Sequence, residues 1–196
     1  QVLEALNKTR SAHGLRPLVV SHELRYAAVT HSRAMLEKGF FAHDSPSGVP
    51  FATRVRGFYR SAGYDSWTVG ENLIYSSEEL TADIAIAAWM ASPGHRKNIL
   101  TPGWREVGIG SLHASSAGGL FAGEQTWVIT MDFGARSGKV APKNTADLKP
   151  AAKKPFKPTA AKLARKKTSQ TSRSVDRFLP RPSRVPEADE GDLLNP

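Results

Sequence analysis

The sequence predicts an α+β fold followed by a basic tail, on three observations. Helical patterns fill the chain as far as Leu100, in places as amphipathic stripes and in one place as a nearly continuous apolar run. Two alternating runs, Glu106–Leu112 and Gln125–Gly134, come late and are joined by a link rich in Gly and Ser, as an antiparallel pair would be. After Arg136 both patterns stop, and Lys, Ala, Pro, Ser and Thr dominate. Helices gathered early and antiparallel strands late argue α+β.

Charge divides the chain at the same place. Up to Arg136 there are 13 Lys+Arg against 12 Asp+Glu, whereas from Ser137 to Pro196 there are 14 against 6, so nearly all of the net +9 belongs to the tail. All 4 Trp and all 6 His precede Arg136, which places the chemistry in residues 1–136. The remainder, 137–196, buries too little apolar surface to offset chain entropy and reads as a disordered basic segment. Cysteine is absent, which excludes a disulfide framework, thiolate catalysis and Cys-ligated metal. No stretch reaches the ~18 apolar residues of a membrane span. The first residue is Gln1, which a removed export signal would explain as readily as trimming.

Taken in order, Val2–His13 places Val2, Leu3 and Leu6 on one helical face, with Gly14 as its stop. Ser21 is the N-cap of a helix from His22 to Gly39, whose stripe is Leu24, Ala27, Ala28, His31 and Met35. His31, inside that stripe, reads as a satisfied core histidine. Pro50 suits a first helical position for a short helix with Phe51 and Val55 inward. A loop through Gly63 and Trp67 leads to the segment Thr68–Tyr75. Ser76 or Thr81 caps a fourth helix with Ile84, Ala85, Ala88 and Trp89 on its buried side, and its apolar run predicts near-complete enclosure. Pro93 pushes Ser92 out of the helical region and ends that helix. Gly94 then permits a sharp turn, which delivers His95 at a fixed elbow. In Glu106–Leu112 the glycines Gly108 and Gly110 share one face, which predicts close approach by another element.

Several of these stretches together resemble one family. GENL at Gly70–Leu73, the histidine of FFAHDSPSG (His43), SPGHRKNILTP around His95, EVGIG from Glu106 and VITMDFG up to Gly134 occur in the order found in the CAP superfamily of cysteine-rich secretory, antigen 5 and pathogenesis-related-1 proteins. The resemblance is to the bacterial branch without cysteines and covers about Val2–Arg136. It implies a three-layer α-β-α sandwich with a central, mainly antiparallel sheet, and export to the extracellular space or cell envelope. It also implies a shared cleft holding His43, Glu71 and His95 as metal-binding or catalytic residues, with Asn72 and Ser92 as neighbours. A second glutamate of the family pattern falls at about Ser92, so this chain has a hydroxyl where a carboxylate is expected.

Two imidazoles and one carboxylate suit Zn²⁺ or another divalent cation with an open water position. The plainer reading is that both histidines hold loops, that Glu71 accepts backbone hydrogen bonds and that Asn72 caps a turn. Arg96 and Asn98 read as structural, with Glu106 a partner for Arg96 or Arg105; His13, His22 and His113 read as surface residues. Hydrolase signatures are missing: there is no GxSxG, no HExxH and no glycine-rich phosphate loop. Ser45 reads as a turn residue.

The resemblance favours a binding module for a small-molecule or lipid ligand, with a metal- or His/Glu-dependent hydrolase acting on peptide or cell-wall material as the alternative. The tail's charge suits an anionic cell-envelope polymer or membrane surface. Nucleic acid is the poorer match, because Phe156 is the one aromatic residue in the basic heart of the tail and stacking readout needs more.

Overall fold

The computed structural model describes residues 1–139. The segment read as disordered lies outside the described residues from residue 140 onward. Among the described residues five α-helices and four strands follow one another as α1 (Val2–Ala12), β1 (Val19–Val20), α2 (His22–Lys38), α3 (Phe51–Arg56), β2 (Tyr64–Ser76), α4 (Ala82–Ala91), α5 (Pro93–Leu100), β3 (Glu106–Ala114) and β4 (Thr126–Lys139), with a 3-10 turn at Gly119–Phe121 between the last two strands. The sheet order is β1-β3-β4-β2, with β1 parallel to β3 and the other pairs antiparallel. The fold is thus α+β, as the sequence predicts.

The three layers follow from the alternation of β4. Ile129, Met131 and Phe133 face one side and join Leu6, Ile86, Trp89, Ile99 and Trp104 from α1, α4, α5 and the loop after α5. Val128 faces the other side with Met35 of α2, Leu73 and Phe121. Thr130 shares that second face, where its hydroxyl accepts from Ser32 Oγ of α2 at 2.8 Å. Leu24 and Ala27 of α2 pack there with Val55 and Tyr59.

Helix α2 starts and ends as its sequence directs. Ser21 Oγ accepts from the Leu24 N–H, and Gly39 closes the helix at φ +66. It lies directly on β3 because two glycines leave room: a Cβ on Gly108 would stand 2.0 Å from the Leu24 carbonyl carbon, and one on Gly110 2.5 Å from that of Ala28. The close approach expected from the EVGIG run is therefore made by α2. On the opposite layer the buried Arg10 of α1 donates from Nη1 to the carbonyls of Ile99 (2.6 Å) and Thr101 (3.0 Å), tying α1 to the carbonyl end of α5.

Several expectations are corrected. Trp67 lies within a strand and not in a loop: β2 is a 13-residue edge strand whose alternation is masked where it runs through GENL. Helix α4 is one-sided, with Ala85, Ile86 and Trp89 buried but Ile84 52% exposed, so apolar composition overstated its enclosure. The turn before His95 is made by Ser92, extended at φ −96 and ψ 125, followed by Pro93 in the first turn of α5. Gly94 is an ordinary helical residue there. Strand β4 continues past Arg136, with Ser137 opposite Ser66 and Lys139 opposite Tyr64.

Candidate functional site

Glu71 organises the site. It sits at the middle of β2, 4% exposed, and both carboxylate oxygens are engaged. Oε1 accepts from His43 Nδ1 at 2.8 Å, and Oε2 accepts from Arg54 Nη2 at 2.5 Å. The same Arg54 nitrogen reaches the His43 carbonyl at 3.2 Å, so one guanidinium holds both the carboxylate and the segment that carries the imidazole. Burial alone would raise the Glu71 pKa; the hydrogen bond from His43 and the charge of Arg54 outweigh it and hold the carboxyl well below the usual carboxylate range.

Directly across the ladder from Glu71 stands Asp132 of β4. It is fully buried, and neither oxygen has a hydrogen-bond donor. Burial, and then the negative charge of Glu71, push its carboxyl pKa well up. Two carboxylates side by side cannot both ionise in such a place, so Asp132 keeps its proton and Glu71 its charge. Arg54 is itself almost enclosed, its side chain 10% exposed, with Nε and Nη1 unpartnered among the described residues.

The two histidines are set differently. His43 is half-exposed, its side chain at 33%, and a carboxylate on Nδ1 fixes a proton there, so that in the neutral ring Nε2 carries the lone pair toward solvent or ligand. His95, in the first turn of α5, pairs through Nδ1 with Ser92 Oγ at 3.0 Å. Burial, then the nearby His43, lower its pKa, so the neutral ring is favoured. Among the described residues no protein group hydrogen-bonds Nε2 of either ring. Behind them, His31 donates from Nε2 to the Ala42 carbonyl at 2.8 Å, a neutral buried histidine that anchors the residue preceding His43.

Each residue of the GEN triplet has a separate task. Gly70 admits Trp104 and Asn98: a Cβ there would meet the Trp104 ring at 2.8 Å and Asn98 Oδ1 at 3.2 Å. Glu71 orients His43. Asn72, wholly buried, donates to the His95 carbonyl at 3.1 Å and accepts from Asn98 Nδ2 at 3.0 Å, while Asn98 also donates to the Glu71 carbonyl at 3.1 Å. The edge strand is thereby stitched to α5 by side-chain amides, so Asn72 is a strand-to-helix link and not a turn cap.

All five residues singled out from the sequence therefore lie in one region. His43 touches Glu71, Ser92 touches His95, and Asn72 ties Glu71's strand to His95's helix. The reading missed Arg54 and Asp132. Asp132 carried a signal, being an acid on an otherwise buried face of VITMDFG, where a carboxyl needs an explanation. Arg54 offered none beyond a charge beside Val55. Glu106 pairs with Arg136 (3.8 Å) and accepts from Tyr59 Oη (2.6 Å) instead of meeting Arg96 or Arg105. His13, His22 and His113 are exposed, as expected.

The donor set does not suit a three-ligand metal. Glu71 is buried with both oxygens engaged, and among the described residues no group of three His, Asp or Glu is arranged to hold an ion. Elsewhere, an open groove of about 390 Å³ runs between α1 and α4, lined mainly by the apolar Ala5, Ala12, Ile86, Ala87 and Met90 but also by Lys8, His13 and Asp83.

A three-layer α-β-α domain with a hydrogen-bonded His/Glu cluster on its edge strand defines the class of this protein. The model of the CAP cysteine-rich secretory protein family matches residues 3–133, and the chain belongs to that family. It is 36% identical over 117 residues to YkwD of Bacillus subtilis (strain 168), covering 59% of this chain and 43% of YkwD. It is 30% identical over 110 residues to the membrane protein YlbC of the same organism, covering 56% of this chain and 30% of YlbC. The chain thus spans less than half the length of either relative. An extracellular protein from Bacillus anthracis containing an SCP domain superposes with a TM-score of 0.50 at 25% identity, over 68% of this chain and 38% of that one. An outer surface protein of Borrelia burgdorferi gives 0.54 at 15% identity, over 69% and 90%, a likeness of fold alone. Among the described residues no helix is long and apolar enough to cross a membrane.

Proposed function

We propose that this chain is an exported binding module whose His43/His95 cleft receives a small polar ligand or the headgroup of a lipid, while its basic segment associates with anionic cell-envelope surfaces. One observation carries the reading: Glu71 is spent on orienting His43 and holding Arg54, and Asp132 beside it is fully buried, so the groups left to meet a ligand are the two Nε2 atoms. A divalent cation in this cleft would take its protein ligands from those two nitrogens and the remainder from water or the ligand. The mainly apolar groove between α1 and α4 supports a lipid, since it offers a place for an acyl chain apart from the polar cleft. Export rests on the extracellular Bacillus anthracis relative.

The test is thermal unfolding with zinc titrated, in the wild type, His43→Ala and His95→Ala, together with liposome sedimentation. A ligand bound to the native state stabilises it by ~2.7 kcal/mol at a hundredfold excess over Kd. A rise in Tm that both substitutions abolish supports one shared site. No shift with zinc and no retention on lipid vesicles would remove the reading.

The His43–Glu71 couple favours a second reading. An imidazole whose Nδ1–H is fixed by a buried carboxylate presents Nε2 as a general base, which suits a hydrolase of peptide or cell-wall material. Purified protein without turnover of casein or peptidoglycan, with and without added zinc, would eliminate it.

A further inference from the structure

Strand β2 is covered along one half of its outer edge and open along the other. The carbonyls of Glu71 and Leu73 point away from β4, where they accept from Asn98 Nδ2 (3.1 Å) and Trp89 Nε1 (3.0 Å) of the flanking helices. Alternation along the strand gives the backbone groups of Asp65, Trp67 and Val69 the same outward direction. Among the described residues neither the N–H nor the C=O of these three has a hydrogen-bond partner. A groove of about 460 Å³ follows this stretch. Its lining takes Arg56 and Trp67 from one face of the strand and Ser66 and Thr68 from the other, so it straddles the edge itself.

Charge says what this edge can pair with. The Arg56 guanidinium stacks on the Trp67 ring, 4.5 Å from its centroid, while the indole N–H is anchored to the Tyr59 carbonyl at 2.8 Å. Stacking holds a guanidinium in place without using its N–H donors. Among the described residues Arg56 has no carboxylate within ion-pair distance. Asp65 also lines the groove, but a Cβ on Gly138 of β4 would stand 2.0 Å from Asp65 Oδ2, so that carboxylate lies over the paired side of β2. An extended segment carrying acids therefore suits the edge. A second copy of the chain suits it less, because a two-fold axis through Trp67 would set two Arg56 guanidiniums against each other.

The chain itself supplies such a segment. Glu187–Asp192 reads EADEGD, acidic at four positions and without a cation. Strand β4 ends beside the same edge, with Lys139 opposite Tyr64, so a strand added to β2 would lie about 10 Å from it, two strand spacings. Residues 140–186 lie between, and a flexible chain of that length spans roughly 35–40 Å root-mean-square, enough to return to the edge. We infer that Glu187–Asp192 docks in extended form along Asp65–Val69, its backbone completing the hydrogen bonds of the edge and its carboxylates meeting Arg56. The inference does not depend on what the basic stretch binds. Docked there, the acids of the segment are kept off the Lys and Arg residues that precede it, which stay available to an anionic surface.

Amide hydrogen exchange of the full chain, followed residue by residue by NMR, tests this. A variant carrying Glu187→Gln, Asp189→Asn, Glu190→Gln and Asp192→Asn removes the charges at nearly constant shape. The Asp65, Trp67 and Val69 amides should exchange at least about tenfold more slowly in the wild type than in that variant. Arg56→Gln should speed their exchange roughly two- to fivefold. The Ser66 and Thr68 amides, which face β4, should change in neither variant, and this separates undocking from a loss of folding. Equal rates at Asp65, Trp67 and Val69 in the wild type and the four-acid variant would overturn the inference. So would exchange that Arg56→Gln leaves untouched, since the charge argument then fails. Protection that grows with protein concentration would assign the edge to a second copy instead.

Discussion

Replacing Arg54 with methionine tests whether the ion pair beneath the cleft organises it. Methionine keeps an unbranched, flexible side chain in the slot between α3 and β2 but removes every donor that Glu71 Oε2 and the His43 carbonyl receive there. Glu71 is then left 4% exposed with only the His43 hydrogen bond. Breaking a buried pair from one side costs ~3–5 kcal/mol, because the remaining charge is desolvated alone. At roughly 2–4 °C per kcal/mol the melting temperature should fall by roughly 6–20 °C. Glu71 can recover part of this loss by taking up a proton, since the hydrogen bond from His43 and the Arg54 charge are what hold its pKa down against burial. Adding Glu71→Gln to Arg54→Met removes the stranded charge, so the double variant should be more stable than Arg54→Met alone by about 2 kcal/mol. The assay is urea unfolding of wild type, both single variants and the double, read as a coupling energy. A cost below about 1 kcal/mol for Arg54→Met, or strict additivity in the cycle, would refute the argument that the pair supports the cleft.

Two further predictions concern the frame around the cleft. Gly108→Ala places a Cβ 2.0 Å from the α2 backbone, which cannot yield as a side-chain tip would, so the helix must lift from β3; a loss of at least ~1–3 kcal/mol in urea is expected, and wild-type stability would show that α2 does not rest on the sheet in this way. Burial lowers the pKa of both His31 and His95 below the ordinary 6.5, so the unfolded chain binds more protons than the folded one as pH falls through that value. Stability should accordingly be full above pH ~6.5 and decline below it toward the folded-state values; His31→Gln, which keeps a donor for the Ala42 carbonyl, should make the decline shallower. A melting temperature independent of pH between about 7.5 and 5.5 would contradict the assignment of both rings as neutral.

The parts legible in the sequence are those with local causes. Ser21 and Gly39 mark α2 by capping chemistry, Pro93 marks the start of α5, and the alternation of β4 separates the two faces on which the helix layers pack. The glycines of EVGIG announced a close approach without naming the partner, because the identity of the approaching helix is a tertiary fact. Strand β2 escaped because its apolar positions are interrupted by Gly70, Glu71 and Asn72, whose burial depends on Arg54, Trp104 and Asn98 arriving from elsewhere. Arg54 was invisible for the same reason: nothing in a local window distinguishes a buried arginine from an exposed one such as Arg56, two residues on. The cleft residues were found through family resemblance, and their division of labour was not. Glu71 reads equally well as a ligand or as an orienting group until both of its oxygens are seen to be engaged.

The exchange of an expected acid for Ser92 has a chemical consequence. Glu71 can only accept, so it pins a proton of His43 on Nδ1, and in the neutral ring Nε2 is the acceptor. Ser92 can donate or accept, so its bond to His95 Nδ1 leaves the tautomer of that ring open, and Nε2 of His95 can serve as donor or acceptor as the ligand requires. The cleft can therefore meet a cation with two lone pairs, or an anionic or hydroxyl group with one lone pair and one N–H. Ser92→Glu should remove that choice. The residue is at once the N-cap of α5 and the C-cap of α4, so the two helix ends act on a carboxylate there with opposite sign and stability should change little. With an acceptor on Nδ1, His95 would match His43, and zinc affinity should rise by about tenfold, the scale on which partners of metal-bound histidines act. Phosphate-bearing ligands should lose affinity in the same variant. Ser92→Ala removes the bond without imposing a tautomer, and should weaken zinc and phosphate alike. If Ser92→Glu moves both ligands in the same direction, the hydroxyl is not what sets the chemistry of His95.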